Sequence, residues 1–211
     1  MRSWKNSLFN ICFALNCLLV FLLLFENRLT VPPWLQVTGR MHPLMVHFPI
    51  VLIILYALVS LISASKKPKA DSAYDSMNDL LLLLAALSSV ITALMGLFLS
   101  REEGYDAEAL QWHKWGGVIL SVFSLSWYYF KKQLLSVKIL PYFFSFLAFG
   151  VILFTGHQGA IITHGQNFIF APIMPEKKRQ VVPFEEAIVF ADLVKPILEE
   201  KCMSCHNSKK A

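Results

Sequence analysis

Long apolar runs free of charge constrain this chain more than any other feature. A helix needs about 20 predominantly apolar residues to cross the hydrocarbon core of a bilayer. Five segments approach that length: residues 8–25, 44–64, 80–99, 115–130 and 139–154. The fourth is short and is lengthened by its flank from Trp112. The fifth tolerates Pro141 in its first turn, where the missing N–H would have no intrahelical partner anyway. Only 16% of the 211 residues are charged and 56% are hydrophobic, whereas soluble domains carry roughly 25% charged residues. The expected fold class is an all-α integral membrane helical bundle of about five spans.

The basic residues set the expected orientation. Arg2 and Lys5 precede the first run, Lys66, Lys67 and Lys69 separate the second from the third, and Lys131, Lys132 and Lys138 separate the fourth from the fifth. If the spans alternate, all three clusters share one side, and positive clusters in short loops mark the cytoplasmic side. The arrangement is N-in/C-out, in a bacterial inner membrane, with the chain beyond Thr155 periplasmic. The net charge of +5 is thereby assigned to topology. No basic stripe with interleaved aromatics is present to bind nucleic acid. The first run has the positive flank of a signal peptide, but Glu26, Asn27 and Arg28 follow Phe25 where small residues would mark cleavage. Residues 1–28 are therefore expected to be a retained signal anchor.

Composition shifts after Phe170. Residues 171–183 hold three prolines and the run Glu176, Lys177, Lys178, Arg179, the character of a linker. A helical pattern follows from residue 184 to 201, with apolar Ile188, Val189, Leu193, Val194, Ile197 and Leu198 and an expected kink or break at Pro196. The domain division is then the anchor, a four-helix membrane domain over residues 39–170, the linker, and a C-terminal segment from residue 184 to 211.

That last segment carries the most specific motif. Cys202-Met203-Ser204-Cys205-His206 is C-x-x-C-H, the pattern of covalent c-type haem attachment. Two thiols three residues apart on a helical turn can each form a thioether to one porphyrin edge, and the adjoining imidazole can ligate the iron. Zinc would call for four ligands, and the other two cysteines, Cys12 and Cys17, lie inside the first apolar run, where a buried thiol behaves as a small hydrophobe. A thiol redox pair would call for a βαβ setting that this sequence lacks. Residues 190–210 resemble the start of a planctomycete-type cytochrome c domain, in which an apolar helix with V-x-P-I-L leads into C-x-x-C-H. The resemblance implies haem c bound through Cys202 and Cys205 with His206 as axial ligand, and a domain truncated after Ala211. It leaves the distal ligand open: Met203 points away from the iron it flanks, and Met174 lies in the linker.

The other five histidines gather on the expected outer side. His42 and His47 stand in His42-Pro-Leu-Met-Val-His-Phe-Pro49, His113 opens the fourth run, and His157 and His164 stand in Thr155-Gly-His-Gln-Gly-Ala-Ile-Ile-Thr-His-Gly165. Ionisable groups near membrane depth are functional-site candidates, although an interfacial histidine beside Trp112 and Trp115 can equally serve stability. His47, His113 and His157 are the stronger candidates for binding a non-covalent haem b or a metal, and His42 and His164 the weaker. Gly116, Gly117, Gly156 and Gly159 would admit either a flat macrocycle or a neighbouring helix. Residues 39–170 resemble an uncharacterised bacterial family of four-helix membrane proteins carrying H-P-L-x-V-H-F-P and T-G-H-x-G-x-x-x-T-H-G, which implies architecture more than chemistry.

Three functions are consistent with these features. The first is a membrane electron-transfer protein with haem c on the periplasmic side, fed by haem b or quinol at the bundle and working with redox partner proteins. The second is a lipid-embedded anchor for a haem domain, its histidines structural. The third is a quinol-oxidising enzyme subunit using a histidine, or the pair Glu102 and Glu103, as proton acceptor; adjacent carboxylates on a loop are more commonly solvated.

Overall fold

A computed structural model describes residues 2–66, 72–102, 104–166, 168–174 and 188–203. Among them every regular element is helical. The elements that matter here are α1 (Arg2–Leu24), α2 (Pro33–Arg40), α3 (His42–Met45), α4 (His47–Lys66), α5 (Ser72–Leu99), α6 (Ala107–Ser136), α7 (Leu140–His164) and α8 (Lys195–Lys201). Local chemistry fixes their starts. Pro33, Pro43 and Pro141 occupy first-turn positions of α2, α3 and α7. Asp106 caps α6, accepting from the Ala109 N–H at 2.8 Å. A turn at Gly104, whose φ of 101° suits glycine, separates α5 from α6.

Helices α4, α5, α6 and α7 pack antiparallel in a ring, each touching the next and α7 closing back on α4. The centre of the ring is apolar: Ile53 and Tyr56 of α4, Leu82 and Ala85 of α5, Trp127 of α6, and Ala148 and Ile152 of α7. Trp127 is 2% exposed and meets Tyr56 edge to face at 5.0 Å. Phe123 and Phe144 stack beside it at 5.4 Å. Large apolar side chains on the outer faces of α1, α4 and α7, such as Phe21, Leu58 and Phe146, stay exposed, as a lipid-facing surface does.

Helix α1 leans into the groove between α5 and α6. Leu19 and Leu23 pack on Val90, Leu97 and Val118. Asn16, inside this apolar run, donates to its own Cys12 carbonyl at 2.9 Å and accepts from buried Ser121 at 2.8 Å. At one end of the bundle Lys5 pairs with Asp79 at 2.9 Å, and Lys131 meets the same carboxylate. At the other end Lys114 pairs with Glu26 at 2.6 Å and Arg40 with Glu102 at 2.8 Å. Helices α1 and α5 thus start at one end of the bundle, and α6 starts at the other and runs antiparallel to both. Asp79 holds two ammonium groups that would otherwise repel. Asp79→Asn is expected to cost about 3 kcal/mol, read as a lower midpoint of thermal unfolding in detergent. An unchanged midpoint would mean that the three charges do not act together.

Among the described residues four helices are long and apolar enough to cross a membrane, with candidate spans Trp4–Leu24, His47–Ser65, Ala73–Leu99 and Leu140–His164. The fourth apolar run of the sequence, residues 115–130, lies in α6 and is not among them, because serines, tyrosines and tryptophans dilute it. Even so α6 has 30 residues, about 45 Å of helix, and is pinned at both ends to the same partners as α1 and α5. Beyond α7 the structure describes a short turn at Ala171–Ile173, and a π-helical turn over Val189–Val194 that gives way to α8, with Pro196 in its first turn. The expected break beside Pro196 is present. Most of the expected linker, and the first residues of the expected C-terminal helix, lie outside the described residues.

Candidate functional site

The helix break at Met41 positions His42. Helix α2 rests on the end of α5 at Gly39, where a Cβ would lie 2.9 Å from the Leu99 backbone nitrogen. The chain then turns at Met41 into α3, which carries His42 inward beneath α2. The His42 ring lies against Gly96 of α5, where a Cβ would come within 3.0 Å of the imidazole. Its Nδ1 stands 2.9 Å from the Thr92 carbonyl oxygen. His113, two turns into α6, repeats the arrangement on the other side. Its ring lies against Gly159 of α7, a Cβ there coming within 3.1 Å, and its Nδ1 is 2.9 Å from the Thr155 carbonyl oxygen. Gly39→Ala is expected to push α2 from α5 and loosen His42, costing about 1–3 kcal/mol. Helix–helix distances measured by spin labels on α2 and α5 would report the shift, and unaltered distances would refute it.

A carbonyl oxygen only accepts, so each Nδ1 carries the hydrogen and, in the neutral ring, each Nε2 is a bare acceptor. No hydrogen bond to either Nε2 is formed among the described residues. The two rings meet edge to face with centroids 5.8 Å apart. Both line a cavity of about 300 Å³ bounded by α3, α5, α6 and α7, and a second chamber of about 80 Å³ deeper in the ring. Ala93 and Gly117 border both. Tyr105 and Lys114 add polar groups to the larger one. Thr155 borders the smaller; it is 8% exposed and its hydroxyl has no partner among the described residues. A Cβ at Gly116 would collide with that hydroxyl, so α6 and α7 approach closely there.

Burial holds the His42 pKa below its ordinary value; the bond to the Thr92 carbonyl opposes this, and nearby His113 adds to the lowering. The unfolded chain titrates near about 6.5, so as pH falls through that value it takes up a proton that the folded protein resists. Stability on this account is complete above about pH 7 and declines below about pH 6.5. Thermal unfolding scans should show a midpoint that falls on acidification, with a shallower fall in His42→Gln. Equal slopes for the two proteins would rule His42 out as the source.

Of the five histidines toward this end of the bundle, His42 and His113 border the cavity. His47, expected among the stronger candidates, is exposed at the start of α4, with Nδ1 3.2 Å from the carbonyl of Leu44 on its own segment. His164 is exposed and stacks on Phe168 at 4.1 Å. His157 is half-buried on α7 and borders neither chamber. The structure brings His42 and His113 together at one cavity and places His47 and His157 away from it. Among the described residues no group of three histidine, cysteine or acidic side chains is placed to hold a metal ion. Sequence reasoning singled out Gly159 without its partner and passed over Gly96, Thr92 and Tyr105; Gly96, an isolated glycine in an otherwise bulky run, was the available signal. Of the C-terminal motif, Cys202 is described and exposed just past α8, whereas Cys205 and His206 lie outside the described residues.

The ring α4–α7, with α3 folded over one end, is also what comparison recovers. The family model described as predicted membrane protein (DUF2231) matches residues 40–166. The chain belongs to this family. The matched DUF2231 region starts next to His42 and spans His113 and Gly159, so the histidine pair, both backing glycines and both carbonyl acceptors fall within it. Helix α1, with Asn16 and Glu26, precedes the DUF2231 region, and α8 follows it. No curated protein and no solved structure matches the chain. Membership with four apolar helices makes this a multi-pass membrane protein.

Proposed function

We propose that this protein is a membrane-bound electron-transfer protein that carries a covalent c-type haem on the periplasmic side of a bacterial inner membrane. The observation that carries the reading is Cys202-Met203-Ser204-Cys205-His206. A c-type haem bound there supplies one-electron chemistry at the iron. The chain's own part is to present two thiols to the porphyrin edge, the imidazole of His206 to the metal, and an apolar surface to the macrocycle. The described end of the chain fits that task. Cys202 is a free, exposed thiol, and Ile197, Leu198 and Met203 next to it in the chain are 51%, 39% and 47% exposed. Apolar side chains left uncovered beside a free thiol are what a flat apolar ring would cover.

Topology supports the same reading. The carboxylate of Asp79 and the lysines it holds mark one end of the bundle, and the histidine pair marks the other. With the lysine-rich end cytoplasmic, α7 delivers the chain to the outer side, where c-type haem is attached. The bundle serves as the anchor and as the entry point for electrons. The test is expression of the full chain in a bacterium competent for cytochrome c maturation, followed by a haem-peroxidase stain of a denaturing gel. A stained band at the protein's mass, absent in Cys205→Ser, is expected. An unstained band in the parent protein refutes the proposal.

A further inference from the structure

We infer that the cavity bordered by His42 and His113 binds a hydroquinone, the lipid-soluble two-electron donor class. The inference rests on the electron-transfer reading and names its substrate. Two observations carry it: the fixed tautomers, and the size and character of the cavity.

The two imidazoles are held alike. Each is seated on a glycine of a facing helix, each donates Nδ1–H to a backbone carbonyl at 2.9 Å, and each leaves Nε2 as a bare acceptor. Such groups have no use for another acceptor and call for a ligand that donates. The chamber they border is about 300 Å³, at the lower end of small-molecule sites. Its walls are mainly apolar, with Val46, Ala93, Leu97 and Ile162 among them, and it lies within the helix ring at one end of the spans. A flat apolar ring with a hydroxyl at its leading edge matches both features. The hydroxyl donates to an Nε2 while the ring face lies on the aliphatic wall.

A metal ion suits the site less well. Transition metals draw three or four protein ligands, no third histidine, cysteine or carboxylate joins the pair among the described residues, and the Lys114 ammonium borders the chamber. A porphyrin ligated by both rings needs them on its opposite faces, and rings in edge-to-face contact do not bracket one. The groups that face the pair are Tyr105, Lys114 with its partner Glu26, and the Thr92 and Thr155 carbonyls. Oxidation of the hydroquinone to quinone would release two protons, which the bare Nε2 atoms can accept, and two electrons, which a c-type haem held by Cys202, Cys205 and His206 would accept one at a time, being reoxidised by a redox partner protein between the two.

The test is photolabelling of the full-length protein in lipid nanodiscs with a short-tailed azidoquinone, with and without competing decylubiquinol. The haem is not needed for the readout. Saturable labelling of peptides containing His42 or residues 110–117, displaced by decylubiquinol, is expected. Two variants sharpen it. His113→Ala removes one acceptor and should weaken displacement by about tenfold, the value of 1.4 kcal/mol. Gly117→Leu grows into the cavity from a position where a Cβ meets nothing within 4 Å, so it should abolish labelling while the protein still melts cooperatively. Labelling that persists unchanged in Gly117→Leu, or protection by Zn²⁺ and not by decylubiquinol, overturns the inference. Labelling as expected in a protein that acquires no covalent haem in a maturation-competent host would sink the electron-transfer reading and leave the quinone site standing.

Discussion

Trp127→Ala should be among the most damaging single substitutions in the bundle, costing about 3–5 kcal/mol. Trp127 is 2% exposed where α4, α6 and α7 converge. It meets Tyr56 at 5.0 Å, Phe123 at 5.3 Å and Phe144 at 5.8 Å. In a membrane, helices gain little from leaving lipid for one another, so association depends on close packing. Truncating the largest side chain of the core deletes those contacts and leaves a void that rigid helices fill only in part. Trp127→Phe, which keeps a ring in place, should recover most of the loss. The measurement is unfolding of the purified protein in mixed micelles, following helicity. A truncation costing less than about 1 kcal/mol would mean that the aromatic cluster does not organise the ring.

Lys114→Met should also cost about 3–5 kcal/mol, because it strands a charge. The Lys114 side chain is 8% exposed and its ammonium lies 2.6 Å from Glu26, itself 23% exposed. Removing the ammonium leaves the Glu26 carboxylate partly desolvated with no counter-charge. Glu26 sits just past α1, so the same substitution should release the end of that helix from α6. The double variant Lys114→Met with Glu26→Gln removes the stranded charge and should regain much of the loss. A double-variant cycle in which the two changes simply add would contradict coupling between these residues. Because Lys114 borders the histidine chamber, the pair also joins α1, which precedes the DUF2231 region, to the site within it.

Apolar length made the helical bundle readable from the sequence, and the lysine clusters made its alternation readable. Helix ends were less legible. Helix α5 starts at Ser72, well before the apolar run begins at residue 80, and α7 continues to His164, well past residue 154. Hydropathy registers the lipid-exposed middle of a helix, whereas hydrogen bonding carries the helix on through polar residues such as Asp75 and Gln158. The histidines show the same limit more sharply. All five lie toward one end of the chain's spans, as their positions implied, but which of them turn inward depends on the bend at Met41. That bend turns α3 away from α2 and sends His42 toward Thr92, and a second break at Val46 starts α4 with His47 left outside. A bend of that kind depends on Gly39 meeting the Leu99 backbone, a contact between distant segments that no local pattern records. The role of α1 had a visible cue in Asn16, a polar residue amid Ile, Leu and Phe, whose meaning emerges only when Ser121 is found opposite it.

Intact-mass spectrometry of the full-length protein, matured in a cytochrome c-competent host and then denatured, reads covalent haem attachment. A mass increased by one haem that survives denaturation is expected, with Cys202 and Cys205 no longer open to thiol alkylation and Cys12 and Cys17 still open. An unmodified mass with all four thiols free would contradict it.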